Sequence, residues 1–308
     1  MRFFKSKYLL LFIICINVNV YAQHTPLLTQ YMFNGLLNNP GFAGSNEVLT
    51  LSVSDRHQWI GFDGAPVTQI FTAHTPLKNE NIGLGILLYR DVIGKSYDNG
   101  LYGTYTYHLK IRGGKLSLGL TGGISFKQKK LSEINTTQPG DVVFLTNTPL
   151  SVLPNLSIGA YYFCSRFFAG ISTPFILTET FDKKTGKLLS VFDSRKNNFM
   201  FTGGYNYTLN KNYTIKPSFL WRINLTSGQQ TEINIAVENK KIGGVGIGYR
   251  IKDAVIILLK IRINNQMFLG YSYDMSVSEL SSYNYGTHEF YLTYQFRYES
   301  KTVSSRFF

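Results

Sequence analysis

The chain repeats one pattern along most of its length: fourteen stretches of about ten residues in which apolar and polar side chains alternate. Successive side chains of a β-strand point to opposite faces, so each stretch predicts a strand with one apolar and one polar face. Backbone polar groups must all be paired in lipid, and a spanning strand needs roughly 9–11 residues. The pattern therefore predicts an all-β fold, an outer-membrane antiparallel β-barrel of about fourteen strands with long extracellular loops and short periplasmic turns.

The clearest stretch is Leu116–Phe126 (LSLGLTGGISF), where one face suits lipid and the other suits a wet lumen. The same reading along the chain predicts the whole set of strands. They are expected near residues 47–56, 67–76, 81–90, 100–109, 115–126, 154–164, 166–173, 198–209, 212–223, 230–238, 241–251, 253–263, 265–274 and 287–298.

The connections between these strands sort by length. If the first strand leaves the periplasm, the periplasmic connections are tight and rich in turn residues, as at Asn210-Lys211 and Asn264-Asn265. The opposite connections are expected to be long, at 57–66, 91–99, 127–153, 174–197 and 275–286, with only the one at Lys252 short. This sorting is typical of bacterial outer-membrane barrels, and a soluble antiparallel sandwich does not require it. Both termini are then predicted to be periplasmic.

The N-terminus predicts a secretory signal. Basic residues precede an apolar run over Tyr8–Val20, and Val20-Tyr21-Ala22 has the small-residue pattern of a cleavage site. The apolar run is too short for a transmembrane helix. We therefore expect a signal peptide at 1–22, a periplasmic N-terminal segment and possible plug at 23–45, the barrel at 46–298 and a C-terminal tail at 299–308.

Composition agrees with export. Cys15 would leave with the signal peptide, so Cys164 remains alone and no intrachain disulfide is expected. A formal charge of +13 is one sign of nucleic-acid binding, but export and strand alternation argue against such a partner. The basic residues gather in two expected loops, around Lys127–Lys130 and Lys183–Lys196. These loops could touch anionic head groups of outer-membrane lipid or an acidic partner, or be merely solvated.

Two features predict a partly filled lumen. The segment 23–45 is too irregular for a strand and too apolar for a solvated tail, and Asn38–Gly41 has turn chemistry. We expect it to pack on the barrel or to enter it. Ile256 and Leu258 would point inward, against plug or loop residues. Inward polar residues could either line a pore or pair across a plugged interior: Lys216, Arg222, Glu232, Lys260 and Arg262.

Several motifs, in order along the chain, resemble the PorP/SprF membrane proteins of the type IX secretion system of Bacteroidetes. The fullest is Arg56–Pro66 (RHQWIGFDGAP), which looks like the family element Arg-x-Gln-Trp-x-Gly-x-x-Gly-Ala-Pro. The others are Gln30–Asn34, Asn39–Gly44, Thr75–Leu77, Gly83–Gly85, Tyr89–Gly94, Gly248–Ala254, Gly270–Asp274 and Ser282–Glu289. Family chains commonly stop at an aromatic residue ending the last strand, a position that Phe296 matches, whereas this chain continues to Phe308.

The resemblance implies an outer-membrane component of type IX secretion or gliding motility. It implies partners among the type IX secretion components and among secreted adhesin-like proteins with C-terminal sorting domains. The barrel would assist the export or surface attachment of these secreted proteins by protein–protein docking. The alternative is an outer-membrane channel for a small solute, which could be an anion because the loops are basic.

The motif residues at strand ends are the candidate functional residues. Arg56, Gln58 and Trp59 end the first strand, and Arg90 and Asp91 end the third on the same side. An Arg–Asp pair there could clamp the first loop inward over Trp59, while Gly61, Gly64 and Pro66 would set its turn. The cluster is either loop architecture or a docking face. Further candidates from the N-terminal segment are Asn39, Pro40 and Gly41.

Enzymatic chemistry is not expected. The five histidines are scattered, with no pair at metal-ligand spacing. Ser and His residues such as His108 and Ser125 occur on strands, but nothing in the sequence places them together as a nucleophile and its base. Gly243–Gly246 lies in a strand without a following helix, so it predicts no phosphate loop. We therefore expect no catalytic residue, no metal and no cofactor.

Overall fold

The computed structural model describes residues 28–78, 80–111, 113–134, 144–182 and 184–296. The predicted signal peptide and the predicted tail lie outside these residues. The strands are β1 (Leu49–His57), β2 (Val67–Pro76), β3 (Ile82–Ile93), β4 (Ser96–Ile111), β5 (Gly114–Lys129), β6 (Ser151–Phe163), β7 (Phe167–Thr173), β8 (Leu177–Phe181), β9 (Leu188–Phe192), β10 (Asn198–Tyr205), β11 (Tyr207–Thr208), β12 (Tyr213–Asn224), β13 (Gly228–Asn239), β14 (Gly243–Arg250), β15 (Ala254–Arg262), β16 (Met267–Ser276) and β17 (Thr287–Phe296).

In the part of the chain that the structure describes, helical structure is limited to short stretches of 3₁₀ helix. They lie at Gly35–Leu37, Pro40–Phe42, Leu131–Glu133, Ser194–Lys196 and Glu279–Tyr283. Among the described residues, no helix combines the length and the apolar character that crossing a membrane requires.

Fourteen strands close into one antiparallel barrel, which confirms the predicted fold class. Consecutive strands pair with each other, and the barrel closes where β1 pairs with β17, with Leu49 opposite Phe296. β10 pairs with both β7 and β12, and β11 continues the line of β10 along β12. β8 and β9 form a separate two-stranded hairpin.

The wall has the two faces that its alternation predicts. On β15, Ile257, Leu259 and Ile261 are exposed on the outer surface, whereas Ile256 and Leu258 are buried inside. Small polar side chains such as Ser52 and Ser54 on β1 are also buried inside. An apolar exterior with a polar interior is the arrangement that lipid requires of a barrel.

The two ends of the barrel differ in their connections. At one end, the short-turn end, every connection is brief, for example 164–166 and 240–242. At the other, the loop end, the connections 58–66, 130–150, 174–197 and 277–286 are long. The expectation of a long loop at 91–99 is wrong, because β3 and β4 pair as far as Ile93 and Ser96 and leave only Gly94-Lys95 between them. The connection 225–227 is also short, so Lys252 is not alone at that end.

The long connection after β7 folds against the barrel wall. β7 ends at Thr173, and the loop that follows it lies beside β6. There the side chain of Asn155 forms hydrogen bonds with both the N–H and the C=O of Leu177. Lys127 on β5 bridges Asp98, at 2.8 Å, and Glu179 of the hairpin. The hairpin Leu177–Phe192 is thereby tied to the rim at the loop end.

Residues 28–46, here called the lumenal segment, lie inside the barrel. Leu28, Tyr31, Leu36 and Leu37 are almost fully buried. Thr29 contacts Asp274 and Glu289, which lie within three residues of the loop end of their strands, whereas Asn46 leads into β1 at the short-turn end. The segment therefore runs down the lumen from the loop end to the short-turn end.

Candidate functional site

A buried network of charges holds the first residues of the lumenal segment. We call it the charged anchor, and it consists of Arg56, Glu232, Arg250, Asp274 and Glu289. These residues come from β1, β13, β14, β16 and β17, at inward positions near the loop end, and their exposed fractions do not exceed 4%. Five strands of the wall thus contribute to one electrostatic cluster inside the lumen.

Arg56 bridges the two carboxylates nearest the barrel seam. Its Nη2 lies 2.9 Å from Asp274 Oδ2, and its Nη1 lies 3.0 Å from Glu289 Oε2. Nη1 also donates to Thr29 Oγ1 at 2.5 Å. Charge-assisted bonds of this kind are among the strongest in proteins because both partners are ionised and desolvated.

Arg250 makes the complementary half of the charged anchor. It lies 2.8 Å from Glu232 Oε2 and 3.1 Å from Asp274 Oδ2, and its Nη2 donates to Thr29 Oγ1 at 2.9 Å. The Thr29 hydroxyl in turn donates to Asp274 Oδ2 at 2.8 Å. One threonine hydroxyl is therefore shared between two guanidinium groups and a carboxylate.

The backbone of the lumenal segment completes the charged anchor. The N–H groups of Thr29 and Gln30 donate to the Glu289 carboxylate at 2.8 and 3.1 Å, and Gln30 Nε2 donates to the Glu289 carbonyl at 3.3 Å. Further along, the Tyr291 hydroxyl donates to the Phe33 carbonyl at 2.8 Å. Buried carboxylates need such donors, since an unpaired buried charge is very costly.

The predicted residues Asn39, Pro40 and Gly41 hold the other half of the lumenal segment. Asn39 Nδ2 donates to the carbonyl groups of Ala160 and Ile171, at 3.0 and 3.3 Å, and its Oδ1 accepts the Gly41 N–H at 2.8 Å. The Pro40 carbonyl accepts from Thr106 Oγ1 at 2.9 Å. These residues bind the inner wall and are not exposed to a partner.

Glycines in the wall make this close approach possible. A Cβ on Gly119 would lie 2.3 Å from Gly41 N, and one on Gly83 would lie 2.4 Å from the Ala43 carbonyl oxygen. Distances under 3 Å leave no room for a methyl group against backbone. Gly119 and Gly83 are therefore required by the lumenal segment, as expected where another backbone approaches a strand.

The first loop holds the other predicted candidates. Gln58 N–H donates to the Pro66 carbonyl at 2.9 Å, which closes the loop, and Trp59 N–H donates to Thr287 Oγ1 at 3.2 Å. Gly61 and Gly64 have φ values of 92° and 73°. This left-handed region suits glycine, so both residues shape the turn.

The predicted clamp over Trp59 is wrong in its partners. Arg90 points to the outer face and donates to Gln69 at 3.3 Å, while Asp91 points inward and accepts from Thr68 at 2.5 Å. Neighbouring residues of a strand face opposite sides, so Arg90 and Asp91 cannot close one clamp. Of the arginines at these two strand ends, Arg56 binds carboxylates, those of Asp274 and Glu289, and it holds the lumenal segment.

Above the charged anchor, the first loop and the last loop form a joint surface, here called the loop face. It consists of Ile60, Phe62, Leu280, Tyr283 and Tyr285, all exposed. Ile60 N–H donates to the Gly286 carbonyl at 2.8 Å, and Tyr285 N–H donates to the Ile60 carbonyl at 2.7 Å. These backbone bonds join the two loops, so the aromatic side chains are carried on a braced support. Tyr283 and Tyr285 are 69% and 78% exposed.

The basic loops carry less free charge than their sequence indicates. Lys127 lies on β5 rather than in a loop, and it is paired with Asp98 and Glu179. Lys130 lies 3.1 Å from Glu133, and the hydrogen bonds that Lys130 and Lys95 donate lower the pKa of Glu133. Pairing with nearby carboxylates therefore neutralises part of the excess positive charge in these loops.

A Ser–His pair does occur in the barrel, with a partner that the sequence did not indicate. His108 Nδ1 lies 2.6 Å from Ser117 Oγ, across β4 and β5. Both residues are buried under the lumenal segment, where a Cβ on Gly44 would lie 2.8 Å from His108 Nε2. Since the lumenal segment packs over the pair, its geometry supports a structural role.

Comparison with known proteins identifies the family. A family model described as type IX secretion system membrane protein PorP/SprF matches residues 20–294. The chain belongs to the PorP/SprF family. The resemblance drawn from the motifs is confirmed, and the chain is an outer-membrane component of type IX secretion. Both the charged anchor and the loop face lie within the region that the PorP/SprF model covers.

Among the similar solved structures are outer-membrane barrels of low sequence identity. The outer-membrane protein Omp33 of Acinetobacter baumannii is 8% identical, with a TM-score of 0.48 over 81% of this chain and 99% of its own. KdgM porin is 10% identical, with a TM-score of 0.42 over 80% and 99%. The CymD monoaromatic hydrocarbon channel is 10% identical, with a TM-score of 0.44 over 88% and 94%. A comparison with curated proteins gave no match.

Most of the charged anchor was missed as a site in the sequence, although three of the missed residues lie in the PorP/SprF motifs. Arg250 lies inside one motif segment, Asp274 and Glu289 end two others, and each occupies an inward position of an alternating strand near the loop end. Charged residues at inward positions, spread over several strands, are the signal that could have pointed to the charged anchor.

Proposed function

We propose that this PorP/SprF barrel assists the export or surface attachment of secreted proteins with C-terminal sorting domains by docking them on the loop face. In this proposal the loop end faces outward and the short-turn end, where β17 finishes, faces the periplasm. The barrel serves as a frame, and recognition occurs on its loops.

The observation that carries the proposal is a rigid aromatic surface above a filled lumen. Phe62, Tyr283 and Tyr285 are exposed, and the backbone bonds between the two loops fix the support that carries them. Large aromatic side chains supply much contact area at low entropic cost, and they dominate the energetics of protein interfaces. The filled lumen is consistent with binding on the surface rather than passage through the wall.

The channel alternative requires the lumenal segment to leave the lumen. Its release would break the bonds between Thr29 and the charged anchor and expose buried carboxylates. An enzymatic role has no support from the described residues, since the Ser–His pair is buried beneath the lumenal segment. Docking is therefore the function we favour.

A complementation experiment tests the docking proposal. The gene is deleted, and surface display of sorting-domain adhesins is measured by antibody labelling of intact cells. We expect wild-type protein to restore display and a variant combining Phe62→Ser and Tyr285→Ser to fail. Leu189→Ser on the β8–β9 hairpin removes an apolar side chain about as exposed as that of Phe62, and this control should restore display. Full display in the deletion strain, or full rescue by the loop-face variant, would refute the proposal.

A further inference from the structure

The lumen contains a second feature that the charged anchor and the loop face do not explain. A cavity of about 430 Å³ lies towards the short-turn end, and we call it the short-turn cavity. Its walls come from the lumenal segment and from β12 to β17, with a contribution from β6 and β7, and none of the charged anchor lines it. Its volume falls in the range of ligand-binding pockets, roughly 300–1,000 Å³.

The short-turn cavity holds more positive than negative side chains. Lys216 and Lys260 both bind Glu238, with Lys260 Nζ 2.8 Å from Glu238 Oε1. Arg262 adds a third cation, and its Nε is buried without an acceptor among the described residues. Three cations thus face one carboxylate. A partly desolvated site with this imbalance attracts an anion more strongly than an exposed one does.

The cations lie against aromatic rings. Lys260 Nζ is 4.7 Å from the centroid of the Phe33 ring and 5.0 Å from that of Phe268, and the Arg262 guanidinium is 4.8 Å from the Phe268 ring. Such cation–π contacts hold the charges without neutralising them. The site therefore presents an apolar surface immediately beside donors that suit a carboxylate.

The wall beside Lys260, which is paired with Gly244, carries small residues. Gly244 and Gly246 on β14 and Ala236 on β13 line the cavity next to each other, since Ala236 is paired with Gly246. Their missing or small side chains leave a trough along the strand. A few residues of extended peptide fit such a trough better than a bulky rigid solute does.

We propose that the short-turn cavity binds an acidic peptide segment of a partner protein, with a carboxylate at Lys260 and Arg262 and an aromatic or apolar side chain against Phe33 and Phe268. The partner reaches it from the short-turn end, since the lumenal segment fills the lumen beyond. This site is independent of docking on the loop face, because the two share no residue.

Calorimetric titration of the full-length protein in detergent tests this site. The probes are acetyl-Glu-Phe-Glu-amide, its Lys-Phe-Lys counterpart and N-acetyl-phenylalanine. We expect the acidic peptide to bind and the basic peptide not to bind. Lys260→Met and Arg262→Gln should each weaken binding of the acidic peptide about tenfold, the usual value of a charge-assisted hydrogen bond.

Two further variants separate recognition from structure. Glu238→Gln removes the competing carboxylate and frees two lysines, so it should tighten binding at least about threefold. Lys115→Met, which removes a lysine at the same end that pairs with Glu47 at 2.7 Å, should leave binding unchanged. Equal binding of the acidic and basic peptides, or unchanged affinity in both Lys260→Met and Arg262→Gln, would overturn the proposal. Binding of N-acetyl-phenylalanine as tight as that of the peptide would also overturn it, by assigning the site to a free acid.

Discussion

Replacing Arg56 by methionine should release the lumenal segment and open the barrel to ions. Arg56 is 1% exposed and bridges Asp274 and Glu289, at 2.9 and 3.0 Å. Methionine keeps most of the side-chain volume but removes the charge, so the two carboxylates lose a shared partner. Breaking a buried pair by removing one partner costs about 3–5 kcal/mol. Asp274 retains Arg250, so we expect a cost towards the lower end.

A cost of about 3 kcal/mol changes the ratio of bound to released segment by about two orders of magnitude, since about 1.4 kcal/mol corresponds to a factor of ten. If release is rare in the wild type, it becomes frequent enough to observe in the variant. The assay is single-channel recording in planar bilayers. We expect few openings in the wild type and frequent, long openings in Arg56→Met.

The matched control is Arg90→Met, which removes an exposed arginine of the outer face that donates to Gln69 at 3.3 Å. It should conduct like the wild type. Heat-dependent migration on gels shows whether each variant is folded. A folded Arg56→Met barrel that stays as silent as Arg90→Met would refute the idea that the charged anchor keeps the segment in place.

Three further predictions follow from the same contacts. A Cβ on Gly85 would lie 3.4 Å from Ala43 Cβ, close to the roughly 3.5–4.5 Å between the Cβ atoms of disulfides. Ala43→Cys with Gly85→Cys, in a Cys164→Ser background, should therefore cross-link on oxidation and keep the Arg56→Met barrel from conducting until the disulfide is reduced. An oxidised variant that conducts would contradict the placement of the lumenal segment. Gly119→Ala should lower the yield of folded barrel, because overpacking costs about 1–3 kcal/mol, whereas Gly103→Ala, with nothing within 4 Å of its Cβ, should not; equal yields would contradict the close approach. Lys127→Met should speed tryptic cleavage after Lys184 and Lys187, because Lys127 ties the β8–β9 hairpin to the rim. Lys130→Met, which removes a lysine paired with Glu133, should not change the rate of cleavage. Unchanged cleavage of Lys127→Met would show that other contacts hold the hairpin.

The barrel itself could be predicted from the sequence because alternation is a local signal. Each predicted strand overlaps a strand of the wall, and the inward positions of Ile256 and Leu258 follow from the same period of two. The contacts of the lumenal segment could not be predicted in this way. Thr29 binds Glu289 across 260 positions of sequence, and no periodicity relates two such residues.

The candidate site was predicted in part, and its errors have physical causes. Arg56 was singled out as a clamp or docking residue, but its partners lie on β16 and β17, which come close to β1 only after the barrel closes. The clamp of Arg90 and Asp91 failed because β3 ends three residues later and β4 begins four residues earlier than expected, which places the pair in the wall on opposite faces. Strand ends are set by pairing with neighbours, which the sequence of one strand does not contain.

The charged anchor also bears on how the chain assembles. Arg56 lies on the first strand and Glu289 on the last, and these two strands meet at the closing seam. The residues that bind Thr29 are therefore brought together only when the last strand has joined the first. Contacts so distant in sequence form slowly, because a long loop must close first. The lumenal segment can therefore be fully bound only after the last strand is in place, and a barrel truncated before β17 lacks Glu289, the group that receives both Thr29 and Gln30. A lumenal segment held by the complete charged anchor is therefore a sign that all strands of the wall, including β17, have formed.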